Sequence, residues 1–122
     1  MKMSKRVLVA DDSSTMRKII LRSLAAVGVP SAIEAADGVE ALEAFKQGEF
    51  DLVLTDWNMP NKNGLDVIIG IREMNQTVPI IMVTTEAEKS QVLKAIQAGV
   101  SDYLVKPFTA DTLREKLEKH GC

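Results

Sequence analysis

The sequence contains one cysteine, Cys122, one histidine, His120, and no apolar run of membrane-spanning length. A single terminal cysteine has no partner for an internal disulfide, so a bridge-stapled fold is excluded and a free thiol in a reducing cytoplasm is expected. His120 stands four residues from Lys116 in a charged terminus that is expected to fray, so neither phosphotransfer nor metal ligation is expected of it. The apolar stretch Val7 to Ala10, which follows three basic side chains, is too short for a signal or a membrane segment. An excess of one charge is also lacking, since 15 Lys and Arg face 17 Asp and Glu. No bulk field would draw the chain to nucleic acid or anionic lipid, and neither is an expected partner.

What is present is enough apolar residue, 46% of 122, for one core without staples. A single domain over residues 1–122 is expected, with no linker, low-complexity tract or internal repeat. Short apolar runs at Val7-Leu8-Val9-Ala10, Ala32-Ile33, Leu52-Val53-Leu54, Ile80-Ile81-Met82-Val83 and Tyr103-Leu104-Val105 read as strands. In several of them the hydrophobicity is continuous rather than alternating, as in parallel strands covered by helices on both faces. Between them the apolar spacing changes to three and four: Met16, Ile19, Ile20, Leu24; Val39, Leu42, Phe45; Leu65, Ile68, Ile69, Ile71; Val92, Leu93, Ile96; and Leu113, Leu117. The pattern predicts an α/β fold, (βα)5, with a doubly wound five-stranded parallel sheet and right-handed crossovers.

Gly28, Gly48 and Gly99 follow three of the helical patterns, where a left-handed terminal residue is expected. Asp37 with Glu40 and Thr85 with Glu88 have capping-box spacing. Gly70, inside the third helix at a cost of about 1 kcal/mol relative to alanine, has no explanation at this level.

Ligands of an open parallel sheet bind beyond the carboxyl ends of the strands, near the reversal of strand order. That edge collects Asp11 and Asp12 after the first strand, Asp56 after the third, Thr84 at the end of the fourth, and Lys106 with Pro107 after the fifth. Three clustered carboxylates either raise a pKa or hold a cation. Mg2+, with Mn2+ as a substitute, suits oxygen ligands, with Asp12 and Asp56 as direct ligands and Asp11 acting through water. Beside a cation and an ammonium, Asp56 can attack phosphorus and form an acyl phosphate, with Lys106 and the Thr84 hydroxyl each taking one phosphoryl oxygen. Singly, each residue has an ordinary explanation: Asp-Asp as a turn or helix cap, Thr84 as a strand-end hydroxyl, Lys106 as a solvated charge. Their joint placement favours the chemistry.

As a set, the strand ending in Asp11-Asp12, the run Asp56-Trp57-Asn58-Met59-Pro60 leading to Gly64, Val83-Thr84 and Lys106-Pro107-Phe108 resemble the receiver domain of bacterial two-component response regulators, over nearly the whole chain. Asp12-Ser13-Ser14-Thr15-Met16-Arg17, Asp56 to Asn61 and Val105-Lys106-Pro107-Phe108-Thr109 are similar to its chemotaxis branch. The resemblance implies a flavodoxin-like strand order 2-1-3-4-5, Asp56 as phosphoacceptor, and Asp12, Asp56 and the Asn58 backbone carbonyl as metal ligands beside Asp11. It further implies Thr84 and Lys106 as phosphoryl-sensing residues, Tyr103 as an aromatic switch, a cis Lys106–Pro107 bond, and Asn58 with Glu86 as a pair that influences phosphoryl lifetime. Lys62 departs from an apolar residue common in the family, and the short tail after Leu117 leaves the last helix's extent open. Trp57 is expected to be exposed near the metal, as a fluorescence reporter.

The expected function is that of a stand-alone, monomeric response regulator, phosphorylated by a histidine kinase and acting in trans on a flagellar switch protein. The expected output surface spans residues 87–98 and 103–117, and a phosphatase is a further candidate partner. A phosphorelay or adaptor receiver, using the face around Ser13, Pro60 and Lys106, is the alternative. A magnesium-dependent phosphatase with an aspartate nucleophile would need a second carboxylate where Asn58 stands, so an enzyme acting on external substrates is not expected.

Overall fold

The computed structural model describes residues 5–85 and 89–121. Strands and helices alternate: β1 (Val7–Ala10), α1 (Ser14–Ala26), β2 (Ile33–Ala35), α2 (Gly38–Lys46), β3 (Leu52–Thr55), α3 (Gly64–Met74), β4 (Ile80–Thr84), α4 (Lys89–Ala98), β5 (Asp102–Val105) and α5 (Ala110–Lys119). All pairings are parallel and the strand order is 2-1-3-4-5, as the family resemblance implies. The order reverses between β1 and β3, whose carboxyl ends therefore open the crevice where ligands of such sheets bind.

Successive strand residues point to opposite faces, and both faces are covered, which explains why the central strands β1, β3 and β4 carry no polar alternation. Leu8, Ala10, Val53, Ile80 and Met82 meet Ala41 and Phe45 of α2, Val67, Ile68 and Ile71 of α3, and Ala95 of α4. Val7, Val9, Leu52, Leu54, Ile81 and Val83 meet Ile20 and Leu24 of α1 and Leu113 and Leu117 of α5. Each buried Leu or Ile contributes on the order of 1.5–3 kcal/mol, so both layers hold the strand ends rigidly. None of the described helices is long and apolar enough to cross a membrane.

Local signals explain where the helices start. Asp37 accepts the Glu40 N–H at 2.8 Å, but Glu40 reaches past it to the Ala36 N–H, so only half of the predicted capping box forms. A complete box links Asn63 and Asp66 at the start of α3; the Thr85 and Glu88 pair lies partly outside the described residues. Gly28 and Gly99 take the expected positive φ, 97° and 106°. Gly48 does not; a Cβ there would stand 2.8 Å from the Arg6 guanidinium, which lies over the Phe50 ring. Gly70 now has a reason: a Cβ would meet Leu42 Cδ2 at 2.6 Å, so its absence lets α2 close on α3.

The last helix is capped at both ends, by the Thr109 hydroxyl and by the His120 N–H bonded to its last carbonyls. The expectation of a fraying terminus at His120 is corrected. His120 Nε2 and Lys116 Nζ each lie 2.9 Å from the Asp102 carboxylate at the start of β5. Burial would raise that carboxyl, but His120 and Lys116 hold it well below the usual range. The spacing of apolar residues could not show that the terminus is tied to a strand.

Candidate functional site

Sheet register brings the polar strand ends together. Ala10 of β1 is level with Thr55 of β3, and the Asp56 N–H donates to the Ala10 carbonyl at 2.9 Å. On the other side of β1 the Asp11 N–H donates to Ala35 at 3.0 Å. Thr84 is level with Val105, and the Lys106 N–H donates to the Thr84 carbonyl at 2.8 Å. Asp11, Asp12, Asp56, Thr84 and Lys106 therefore leave the sheet at one edge. The Lys106–Pro107 bond is cis.

Lys106 spans this edge. Its Nζ lies 2.7 Å from Asp11 Oδ2 and 3.2 Å from Asp56 Oδ2, with side-chain exposures of 7% for Lys106, 2% for Asp11 and 14% for Asp56. The other carboxylate oxygens are also held: Asp11 Oδ1 accepts the Ser13 N–H at 2.9 Å, and Asp56 Oδ1 accepts the Trp57 N–H at 2.7 Å. Asp12 is exposed, and carboxylate oxygens of Asp11, Asp12 and Asp56 lie within 4.8 Å of one another. Three carboxylates face one ammonium, so negative charge is left over when all are ionised. An oxygen-only donor set with surplus negative charge fits a hard divalent cation, and the cluster could hold one.

Burial pushes the Asp56 carboxyl above its ordinary pKa and the Asp11 charge adds to this, while the Lys106 ammonium and the Trp57 N–H act in the opposite sense. A raised folded-state pKa means that the native protein holds this proton more tightly than the unfolded chain. Stability is therefore lost as pH rises from the ordinary value of 3.8 through the raised one. In the absence of divalent cations, Asp56→Asn should be more stable than the parent at about pH 7, with the difference closing at about pH 3. Urea unfolding at both pH values measures this; equal stability at neutral pH would contradict it.

Thr84 is buried at 3% exposure at the end of β4. Tyr103 is half-buried, packs against the core layer under α2, α3 and α4, and donates from its hydroxyl to the Gln91 carbonyl of α4 at 3.3 Å. Burial pushes its phenol pKa up. Beside this link, α4 and β5 expose Leu93 and Ile96 (57% each) and Val105 (50%). Glu86 lies outside the described residues.

Trp57 corrects an expectation. Rather than standing exposed by the cation site, it is buried at 8% exposure within the apolar layer against α3. Its carbonyl accepts the Gly64 N–H at 2.8 Å, which folds the chain after β3 back over the core. Asn58 and Lys62 are exposed, and Asn61 takes a positive φ of 67°.

Two supports of the site are not singled out by sequence reasoning. The Asn61 amide donates to Asp37 Oδ2 at 2.7 Å and the Gly38 N–H donates to the Lys62 carbonyl at 3.0 Å, tying the loop after β3 to the start of α2. Hydrogen bonds from the Glu40 N–H and the Asn61 amide hold the Asp37 carboxyl below the usual range. The other support is Arg17, whose guanidinium bonds the Asp11 carbonyl and Glu34. Both act through residues distant in sequence, and only Asp37 carried a visible signal, as a helix cap.

The family model for the response regulator receiver domain matches residues 7–118. The chain is 48% identical over 116 residues to chemotaxis protein CheY-3 of Vibrio cholerae, covering 93% of this chain and 89% of that protein. It is 47% identical over 116 residues to chemotaxis protein CheY of Pseudomonas aeruginosa, covering 93% and 94%. Among solved structures, chemotaxis protein CheY4 of Vibrio cholerae superposes with a TM-score of 0.89 at 32% identity, covering 96% of this chain and 98% of that one. The receiver domain of a sensor histidine kinase from Pseudomonas aeruginosa, solved with a magnesium ion coordinated in its active site cleft, superposes with a TM-score of 0.88 at 28% identity, covering 98% and 100%.

Proposed function

The chain belongs to the response regulator receiver family, and on that premise we propose that a cytoplasmic histidine kinase transfers a phosphoryl group to Asp56. The observation that carries this is the shared ammonium of Lys106, held closely by buried Asp11 and at longer range by Asp56. Asp56 is the carboxylate of this pair whose hold on the ammonium is weaker and whose surroundings are more open.

In the proposed reaction a carboxylate oxygen of Asp56 attacks phosphorus, and the bond from phosphorus to the kinase imidazole nitrogen breaks. The electron pair leaves with the imidazole, which takes up a proton, and an acyl phosphate forms on Asp56. Lys106 passes from Asp56 Oδ2 to an oxygen of the incoming group, keeping Asp11 as its anchor. The Trp57 N–H fixes the rotation of the Asp56 carboxylate. The Thr84 hydroxyl is assigned to a second phosphoryl oxygen. Magnesium, held by Asp12, Asp56 and the Asn58 backbone carbonyl with Asp11 beyond a water, would supply positive charge to the same oxygens.

Movement of Thr84 toward the phosphoryl group would free space beside β4 for Tyr103, and its bond to Gln91 links that shift to α4. The phosphoryl group then biases a pre-existing equilibrium of the face bearing Leu93, Ile96 and Val105. Relatives named as chemotaxis proteins support a flagellar switch protein as the partner of that face.

Incubation with acetyl phosphate and Mg2+, followed by intact-mass measurement, tests the core of this reading. The parent protein should gain one phosphoryl group, and Asp56→Ala should gain none. An equal adduct on the alanine variant would refute Asp56 as acceptor.

A further inference from the structure

Arg17, in the first turn of α1, donates from Nη1 to the backbone carbonyl of Asp11 at 2.6 Å and from Nε to Glu34 Oε1 on β2 at 3.0 Å. Its side chain is 16% exposed. Its own N–H donates to the Ser13 carbonyl at 2.9 Å, and the Ser13 N–H returns to the Asp11 carboxylate. The Asp11 N–H is bonded to Ala35, also on β2. Asp11 is therefore tied to β2 through both of its backbone groups, directly by its N–H and, by way of Arg17, through the carbonyl of the peptide that joins it to Asp12.

We propose that Arg17 is a positioning residue for the divalent-cation site: by clamping the Asp11 carbonyl to Glu34, it fixes the peptide plane from which the exposed Asp12 carboxylate projects, and so raises cation affinity. The proposal rests on the phosphoryl-accepting reading above. The clamp matters because a magnesium site tolerates little misplacement of its ligands, and a carboxylate on an exposed turn has no packing of its own to hold it. Removing an outer partner of a metal ligand costs about 10- to 100-fold in affinity.

Charge and position predict opposite signs, which makes the inference decidable. If Arg17 acted only as a positive charge near the cluster, its removal would tighten cation binding by relieving repulsion. If it positions Asp12, its removal weakens binding despite that relief. Lysine keeps the charge but loses the planar fork that serves two acceptors at once.

The measurement is Mg2+ binding by titration calorimetry, without phosphodonor, on the parent, Arg17→Ala, Arg17→Lys and Asp12→Ala. Expected are a loss of about tenfold or more in Arg17→Ala and a smaller loss in Arg17→Lys. With acetyl phosphate, the Mg2+ concentration giving half the maximal phosphorylation rate should rise in parallel while the rate at saturating Mg2+ holds, a split that general destabilisation would not produce. Thermal unfolding in chelator establishes that each variant is folded at the assay temperature; should Arg17→Ala fail this, Arg17→Lys decides alone. Unchanged or tighter binding in the folded Arg17 variants, with binding lost in Asp12→Ala, overturns the positioning role and leaves the site assignment intact. No binding by the parent overturns both.

Discussion

Methionine at position 106 should destabilise the protein by about 3–5 kcal/mol at neutral pH in the absence of divalent cations, the cost of removing one partner of a buried ion pair. Lys106 and Asp11 are 7% and 2% exposed, so Asp11 would be left with a desolvated charge and, among the described residues, only the Ser13 N–H to stabilise it. Methionine keeps most of the aliphatic stem, so the loss reports the ammonium rather than a cavity. The same substitution should tighten Mg2+ binding, because ammonium and metal compete for the same carboxylates. Added Mg2+ should consequently raise the unfolding midpoint more in Lys106→Met than in the parent. Phosphorylation by acetyl phosphate should nevertheless fall about a hundredfold or more, since a positioned positive group facing the phosphoryl oxygens is gone. Urea unfolding, calorimetry and intact-mass kinetics measure the three effects. Weaker Mg2+ binding, or phosphorylation at the parent rate, would contradict the proposed role of Lys106.

The sheet was legible because its signal is local. Val7 to Ala10 and Ile80 to Val83 are apolar at every position, and both faces of those strands are indeed covered. From that it follows that the following polar residues share an edge, and Asp11, Asp12, Asp56, Thr84 and Lys106 do. Strand order was not in the periodicity; it came with the family resemblance. What failed depended on how the chain turns after leaving a strand. Trp57 sits beside Asp56 in sequence, yet the bond from the Gly64 N–H to the Trp57 carbonyl turns its ring into the core. Gly48 and Gly70 suggest backbone conformation or helix propensity in the sequence, whereas in the fold a Cβ at either would press on a side-chain tip, the Arg6 guanidinium or the Leu42 methyls. His120 was read as a free end, but Asp102 holds it. Contacts between segments far apart in sequence leave no trace in local pattern, and the Arg17 clamp and the Asn61 latch are of that kind.

Gly64→Ala should damage the site through the chain that follows β3. A Cβ there would stand 2.2 Å from the Asp56 carbonyl oxygen and 2.9 Å from Trp57 Cα. Both are backbone atoms, so no side-chain rotation relieves the contact. The usual helix preference for alanine, about 1 kcal/mol, cannot offset it, because Gly64 opens α3 and its N–H must stay on the Trp57 carbonyl. The expected cost is about 3 kcal/mol, at the upper end of overpacking penalties, with Mg2+ affinity reduced because the peptide that carries Asp56 must shift. Gly28→Ala is the control. Nothing lies within 4 Å of a Cβ at Gly28, and its φ of +97° makes the penalty one of conformation, about 1–2 kcal/mol. That loss of stability should leave Mg2+ affinity unchanged, since Gly28 ends α1 at the opposite edge of the sheet from Asp56. Unfolding and calorimetry on the two variants separate space from strain. Equal cation affinity in both would mean that the position of the Asp56 peptide does not govern the site, and that the room left by Gly64 serves only the packing of α3.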